Sequence, residues 1–227
     1  MPRTDLYRNV HMGQRARMFT LAIELGAADL DGAGAAVYAE RCLDLTRELR
    51  AHAEHEDTFI HPLLRQRAPA AADALDAEHL RLDAAFAALD ASARALPGTA
   101  PDDLPEARHG LYLALNEVIA AYLAHLHAEE TVAMPALWEN ATDGELEAVF
   151  AAFRASRTAD EALADLRAML PALPAAARAT IVRGAVEAAP GEEHRTLAAL
   201  TTTLAPDQRN RLYADLGLPE VWALRDR

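Results

Sequence analysis

The sequence predicts an all-α fold: an antiparallel up-down four-helix bundle over residues 1–140, followed by a C-terminal helical extension over 141–227. Three observations predict it. The composition is 52% hydrophobic but only 5% aromatic, and it is rich in alanine. Helix is therefore favoured, and few runs supply the β-branched and aromatic residues that strands want. Glycine and proline fall where they leave long uninterrupted segments between them. Within those segments apolar residues recur in alternating steps of four and three, the rhythm of a bundle seam. A chain of 227 residues has ample material for such a core.

The first helix is expected over about residues 4–25, ending at Gly26 and the GAADLDGAG linker, with Tyr7, His11, Gln14, Met18, Leu21 and Leu25 on its seam. The second covers about 35–64, with Pro62 kinking or ending it. Its seam is Leu45, Leu49, His52, Glu56, Phe59 and Leu63. The third runs over about 70–96 and stops at Pro97-Gly98; its seam is Leu75, His79, Leu82, Phe86, Leu89, Ala93 and Leu96. The fourth occupies about 105–134, before Pro135, with Leu111, Leu115, Val118, Tyr122, His125, Glu129 and Val132 aligned. Short connections between long helices favour antiparallel neighbours. Beyond them, Thr142 or Asp143 with Glu145 nearby marks a helix start. Pro171, Pro174, Pro190 and Pro206 then cut the remainder into short amphipathic helices. That region reads as a packing layer or a homodimer surface, with His194 exposed.

Two stretches, residues 51–64 (AHAEHEDTFIHPLL) and 124–137 (AHLHAEETVAMPAL), are one motif written twice. At an offset of 125 − 52 = 73, His52 falls on His125, Glu56 on Glu129, Asp57 on Glu130, Pro62 on Pro135 and Leu64 on Leu137. Each copy holds His-x-x-x-Glu, a pair one turn apart on one helix face. Every predicted bundle helix thus places a histidine in an apolar seam, and two add a glutamate.

The formal charge of −13 argues against nucleic acid or an anionic membrane as partner. All 22 basic residues are arginine. The single cysteine, Cys42, rules out an intrachain disulfide framework and reads as a small apolar residue on a helix. The first residues lack the apolar stretch of a signal peptide, and no run approaches membrane-spanning length. A cytoplasmic protein is expected.

Burying an ionised carboxylate costs several kcal/mol unless it is paired or bound to a metal. The alternative is a hydrogen-bonded layer of neutral histidine and glutamate. Four seam histidines, two with a matched carboxylate, favour the metal. The set has no thiolate, which disfavours structural zinc and iron–sulfur clusters, and it is too rich in imidazole for calcium or magnesium. Four histidines and two glutamates between four helices make a di-iron or di-manganese arrangement with Glu56 and Glu129 as bridges.

That pattern resembles the hemerythrin-like (HHE cation-binding) family. The resemblance covers about residues 6–137. It rests on His11, on His52-x-x-x-Glu56-Asp57 with Pro62, on His79, and on His125-x-x-x-Glu129-Glu130 with Pro135. It implies a four-helix bundle around a non-heme di-iron centre that meets dioxygen. His11, His52, His79 and His125 would be its terminal ligands, and Glu56 and Glu129 its bridges. The implied cofactor is two iron ions, in preference to manganese, bridged by oxo or hydroxo. Two departures matter. Oxygen-carrying members have a fifth histidine where this chain has Leu75. They also space the last histidine and carboxylate by five, which selects Glu130, whereas the seam and the repeat select Glu129. Without the fifth imidazole each iron would hold two histidines and two carboxylate oxygens, with open positions remaining.

Helix geometry places the neighbours. His127 lies about 200° from His125 at ~100° per residue and faces away. His55 and His61 are off the seam, in surface or supporting positions. Glu48, one turn before His52, is a candidate acceptor for a ligand imidazole N–H. Gln14, Leu49, Leu82 and Tyr122 should form one layer beside the metals, where a small ligand would sit. Tyr7, Phe59, Leu75 and Val132 should form the other. Two functions follow: binding or sensing of dioxygen or a related small ligand, and, alternatively, oxidation of a small organic substrate by a di-iron oxidase or oxygenase.

Overall fold

The computed structural model describes residues 3–218. Among them there are helices and turns and no strand. Helix α1 (Arg8–Ala27) begins where the Asp5 carboxylate accepts hydrogen bonds from the backbone N–H groups of Tyr7 and Arg8 at 3.1 and 3.0 Å. Helix α2 (Gly32–His55) is capped by Asp31, which accepts from the Gly34 N–H at 2.7 Å. Helices α4 (Pro69–Ala95) and α5 (Leu104–Ala128) carry Pro69 and Pro105 in their first turns, where a missing N–H costs nothing.

The two repeated motifs do not end their helices. Each passes through a single wide π turn, Glu56–Ile60 after α2 and Glu129–Ala133 after α5. In these turns the His61 N–H reaches the Glu56 carbonyl and the Met134 N–H reaches that of Glu129, five residues back. The chain then continues as α3 (His61–Arg67) and α6 (Met134–Asn140). Proline within a regular helix collides with the carbonyl four residues back; the widened turn before Pro62 and Pro135 gives it room. Thr58 and Thr131, also equivalent in the repeat, each donate their hydroxyl to the carbonyl four residues back at 2.6 Å.

The extra residue in each π turn corrects the expected seam. Beyond it the buried positions are Ile60, Leu64, Ala133 and Leu137. Phe59 and Leu63 are half-buried, and Val132 is 56% exposed. A π turn inserts one residue into the helical count, so every later side chain rotates off the regular four-three rhythm. Before the turns the seam holds on all four long helices, except that His52 and His79 keep slight exposure.

Helix α1 packs on α2 and α5, and α4 packs on the same two. Two apolar clusters result. The larger, from Met18, Leu49, Leu82, Phe86 and Tyr122 outward, fills one side. The smaller, with Tyr7, Ile60, Leu64, Leu75, Ala133 and Leu137, fills the other. Along every long helix the histidines and glutamates fall between the two.

Helix α7 (Asp143–Ser156) starts with a reciprocal cap: Thr142 N–H donates to Glu145 Oε2 at 2.9 Å, and Glu145 N–H donates to Thr142 Oγ1 at 3.3 Å. Its Leu146 completes the smaller cluster, and the first compact unit extends to Phe153. The second unit, from Arg154 onward, contains α8 (Ala159–Met169), α9 (Ala175–Glu187), α10 (Glu193–Thr201) and α11 (Pro206–Asp215). Helix α9 packs on α10 and α11, and α10 on α8. The buried Arg178 guanidinium donates to the carbonyls of Leu170 and Leu173, closing the turn before α9. No helix among the described residues is long and apolar enough to cross a membrane.

Candidate metal centre

The structure brings all six expected ligands together. Helix α1 supplies His11, α2 His52, α4 His79 and α5 His125, and the two π turns supply Glu56 and Glu129 at their first positions. Their donor atoms form two groups of four that share both glutamates. One is His11, His52, Glu56 and Glu129; the other is Glu56, His79, His125 and Glu129.

The distances suit donors gathered around ions. Two atoms each bonded at about 2.1 Å to a common ion stand ~3.0 Å apart at a right angle and ~3.4 Å at the tetrahedral angle. His52 Nε2 lies 2.8 Å from Glu56 Oε1, and His11 Nε2 lies 3.7 Å from the same oxygen and 3.4 Å from Glu129 Oε2. On the other side His125 Nε2 is 3.3 Å from Glu129 Oε1, His79 Nε2 is 3.7 Å from Glu56 Oε2, and the two Nε2 atoms are 3.1 Å apart. Each carboxylate therefore turns one oxygen to each histidine pair.

The residues fit a cation and serve poorly without one. All four glutamate oxygens, and Nε2 of His11 and His52, are buried with no hydrogen-bond partner. Such orphaned atoms are costly unless an ion takes their lone pairs. Burial pushes the Glu129 carboxyl well above its usual range, and the charge of Glu56 beside it adds to the rise. Burial opposes ionisation of Glu56 too, but His52, His11 and His79 outweigh it and hold that carboxyl well below its usual range. Without a metal the two carboxyls are thus pushed in opposite directions. A divalent ion reverses that logic.

A ring of outer carboxylates orients the imidazoles. His11 Nδ1 hydrogen-bonds Glu130 at 2.9 Å, and Arg15 donates to the same oxygen at 2.7 Å. His125 Nδ1 hydrogen-bonds Glu78 at 2.9 Å, and His79 Nδ1 lies 3.3 Å from Asp57. With N–H on Nδ1 of His11 and His125, the Nε2 lone pairs of these two rings are left facing the centre. The motif's second acid thus serves a histidine of the neighbouring helix in both copies, Asp57 for His79 and Glu130 for His11. Glu130 has a side chain 31% exposed and stands outside both donor groups, whereas Glu129 is fully buried inside them. The bond with His11 holds the Glu130 carboxyl down, at about 2. Glu78 escaped sequence reasoning; its only signal was its place beside His79.

The remaining candidates fall as follows. Glu48 pairs with Arg17. His55 meets Phe153 edge-on at 5.2 Å, away from the donor groups, and His127 is exposed. His61 is fully buried against His79, because the π turn rotates it inward. Of the four residues expected beside the metals, Leu82 and Tyr122 reach a cleft and Gln14 and Leu49 are buried. A cleft of about 130 Å³ is lined by Arg50, Asp57, His79, Leu82, Phe86 and Tyr122 among others. It opens between α2 and α4, whereas Gln14 and Leu49 face the bundle axis and are sealed in the core. Tyr7 and Tyr122 are buried near the glutamates. Burial, then the neighbouring Glu129 and Glu56 charges, keeps both phenols protonated.

A helical bundle with a buried histidine and glutamate layer defines a metal-binding protein. The family model described as hemerythrin HHE cation binding domain matches residues 3–137. The chain belongs to the hemerythrin HHE cation-binding family. No curated protein and no solved structure matches it.

Proposed function

We propose that the chain holds two iron ions in an antiparallel up-down bundle and uses them to bind or sense dioxygen or a related small ligand such as nitric oxide. One observation carries this reading: Glu56 turns Oε1 to His11 and His52 and Oε2 to His79, while Glu129 turns Oε2 to His11 and Oε1 to His125. That is the disposition of two carboxylate bridges between two ions. The antiparallel topology is supported by Arg108, at the start of α5, donating to Leu25 and Gly26 at the end of α1 while His11 meets Glu130 at their other ends. Iron in both positions supplies Lewis acidity and redox electrons to a small ligand. The protein's part is to fix the His11 and His125 imidazoles through Glu130 and Glu78, and to surround the ions with apolar side chains.

The test is anaerobic reconstitution with Fe(II), followed by metal analysis and absorption spectra before and after oxygen is admitted. Two irons per chain and a stable, reversible visible band are expected. Protein that takes up no iron and is equally stable without it would refute the reading. The cleft beside Tyr122 favours a second reading, an oxidase or oxygenase for a small organic substrate. It predicts a transient band and a Tyr122→Phe variant with reduced turnover and unchanged iron content.

A further inference from the structure

His61 is a fully buried histidine with neither ring nitrogen hydrogen-bonded, and the dinuclear centre does not use it. Its ring stacks on that of His79, with centroids 5.3 Å apart and planes 15° from parallel. Both rings bring Nδ1 to one carboxylate oxygen. Asp57 Oδ1 lies 2.9 Å from His61 Nδ1 and 3.3 Å from His79 Nδ1, and Asp76 Oδ1 lies 3.4 Å from His61 Nδ1. Despite these separations neither Nδ1 is aligned to hydrogen-bond with Asp57. Donors that share an ion aim at the ion, roughly 35–45° off the line joining them at tetrahedral to right angles. Short separations without hydrogen-bond alignment are what such donors show.

We infer that Asp57, His61 and His79, with Asp76 at the rim, form a mononuclear site for a first-row divalent cation beside the dinuclear centre. It rests on the di-iron reading only for what His79 Nε2 holds. Two imidazoles with carboxylate oxygens suit zinc, iron or manganese rather than calcium or magnesium. Asp57 and Asp76 bring two carboxylates to the site, the second already paired with Arg65. An entry path exists: Asp57 and Asp76 have side chains 48% and 38% exposed, and the cleft beside Tyr122 reaches both Asp57 and His79. Arg65 holds Asp76 through two hydrogen bonds at 2.9 and 3.0 Å. The shared imidazole of His79 would bind one ion through each nitrogen, so filling this site displaces the proton on Nδ1 and couples it to the centre. The second copy of the motif cannot form the same site, because Met134 stands where His61 does in the first copy.

The experiment is titration of the metal-free protein with Zn(II) against a chromophoric chelator, at protein concentrations far above the dissociation constants. Wild type should saturate at three equivalents, and Asp57→Asn and His61→Ala at two. Asp57 is half-exposed, so Asp57→Asn remains informative should His61→Ala fail to fold. Saturation of wild type at two equivalents would overturn the third site and leave the dinuclear reading standing. Three equivalents in Asp57→Asn would also overturn it. Saturation of wild type at one equivalent, with none bound by Asp57→Asn, would support this site and refute the dinuclear one.

Discussion

Glu56 and Asp57, like Glu129 and Glu130, are neighbours with different work. The first of each pair turns into the centre, and the second reaches out to an imidazole nitrogen of another helix. The two kinds of acid therefore respond differently to substitution. Glu129→Ala should abolish retention of the dinuclear pair, since it removes one oxygen from each histidine pair. Glu130→Gln should retain the stoichiometry but lower metal affinity by about 10–100-fold, the usual cost of losing an orienting carboxylate. Chelator competition separates the two; equal losses would mean that Glu130 is itself a ligand. Cys42 gives a third residue-level test. It is fully buried, and burial pushes its thiol up to about 12, so alkylation at pH 8 should require unfolding. Rapid labelling of the native protein would contradict this. The six inner donors were legible in the sequence because the seam marks all six and the repeat marks His52, Glu56, His125 and Glu129 a second time. Glu78 and His61 were not, because their roles depend on which nitrogen of another helix they meet.

Both repeated motifs place their glutamate at the first position of a π turn, and this turn is the element that sequence periodicity missed. A regular count of ~3.6 residues per turn carries Val132 inward and leaves Ala133 out, whereas the structure does the reverse. The two prolines, each six residues after a glutamate, were a visible sign, read as helix ends rather than as marks of a widened turn. The register can be tested within one segment. Leu137→Ala should cost about 2–5 kcal/mol of stability, as buried leucines do, while Val132→Ala should stay within about 0.5 kcal/mol. Urea denaturation measures both, and a large loss at Val132 would restore the regular helix. The cap of α7 is testable by pH. Hydrogen bonds from Thr142 and the pairing with Arg67 hold the Glu145 carboxyl down, at about 2. A depressed folded-state value means stability present above the ordinary value of 4.5 and lost as pH falls toward 2. The melting-temperature gap between wild type and Glu145→Gln should therefore shrink over that range, and a constant gap would remove the carboxylate from the cap.

At the scale of the whole molecule, the centre makes the folded chain's stability depend on protons and metal in opposite senses. In the metal-free protein Glu129 keeps its proton well above the usual carboxyl range because it is buried beside Glu56. Burial would lower His11 and His79, but the neighbouring carboxylates, Glu130 and Glu56 for His11 and Glu56 and Asp57 for His79, outweigh it and raise both. Groups with raised folded-state values bind more protons folded than unfolded, so their contribution falls as pH rises through those values. His125 and His61 are shifted down by burial, His125 to about 4, and their effect lies below the ordinary histidine value of 6.5. Above about pH 6.5 the metal-free centre should therefore lose stability with rising pH. The metal-bound form runs the other way, because cations compete with protons for the same nitrogen and oxygen atoms. Free metal at 100 times the dissociation constant adds about 2.7 kcal/mol per site, and the apparent constant tightens as pH rises. The melting-temperature difference between metal-loaded and chelator-treated protein should accordingly widen from pH 6.5 to pH 8. Calorimetry at the two pH values decides the matter. A difference that is constant or narrows would mean that the buried histidines and glutamates are satisfied by one another, and that the fold does not need the ion to hold them together.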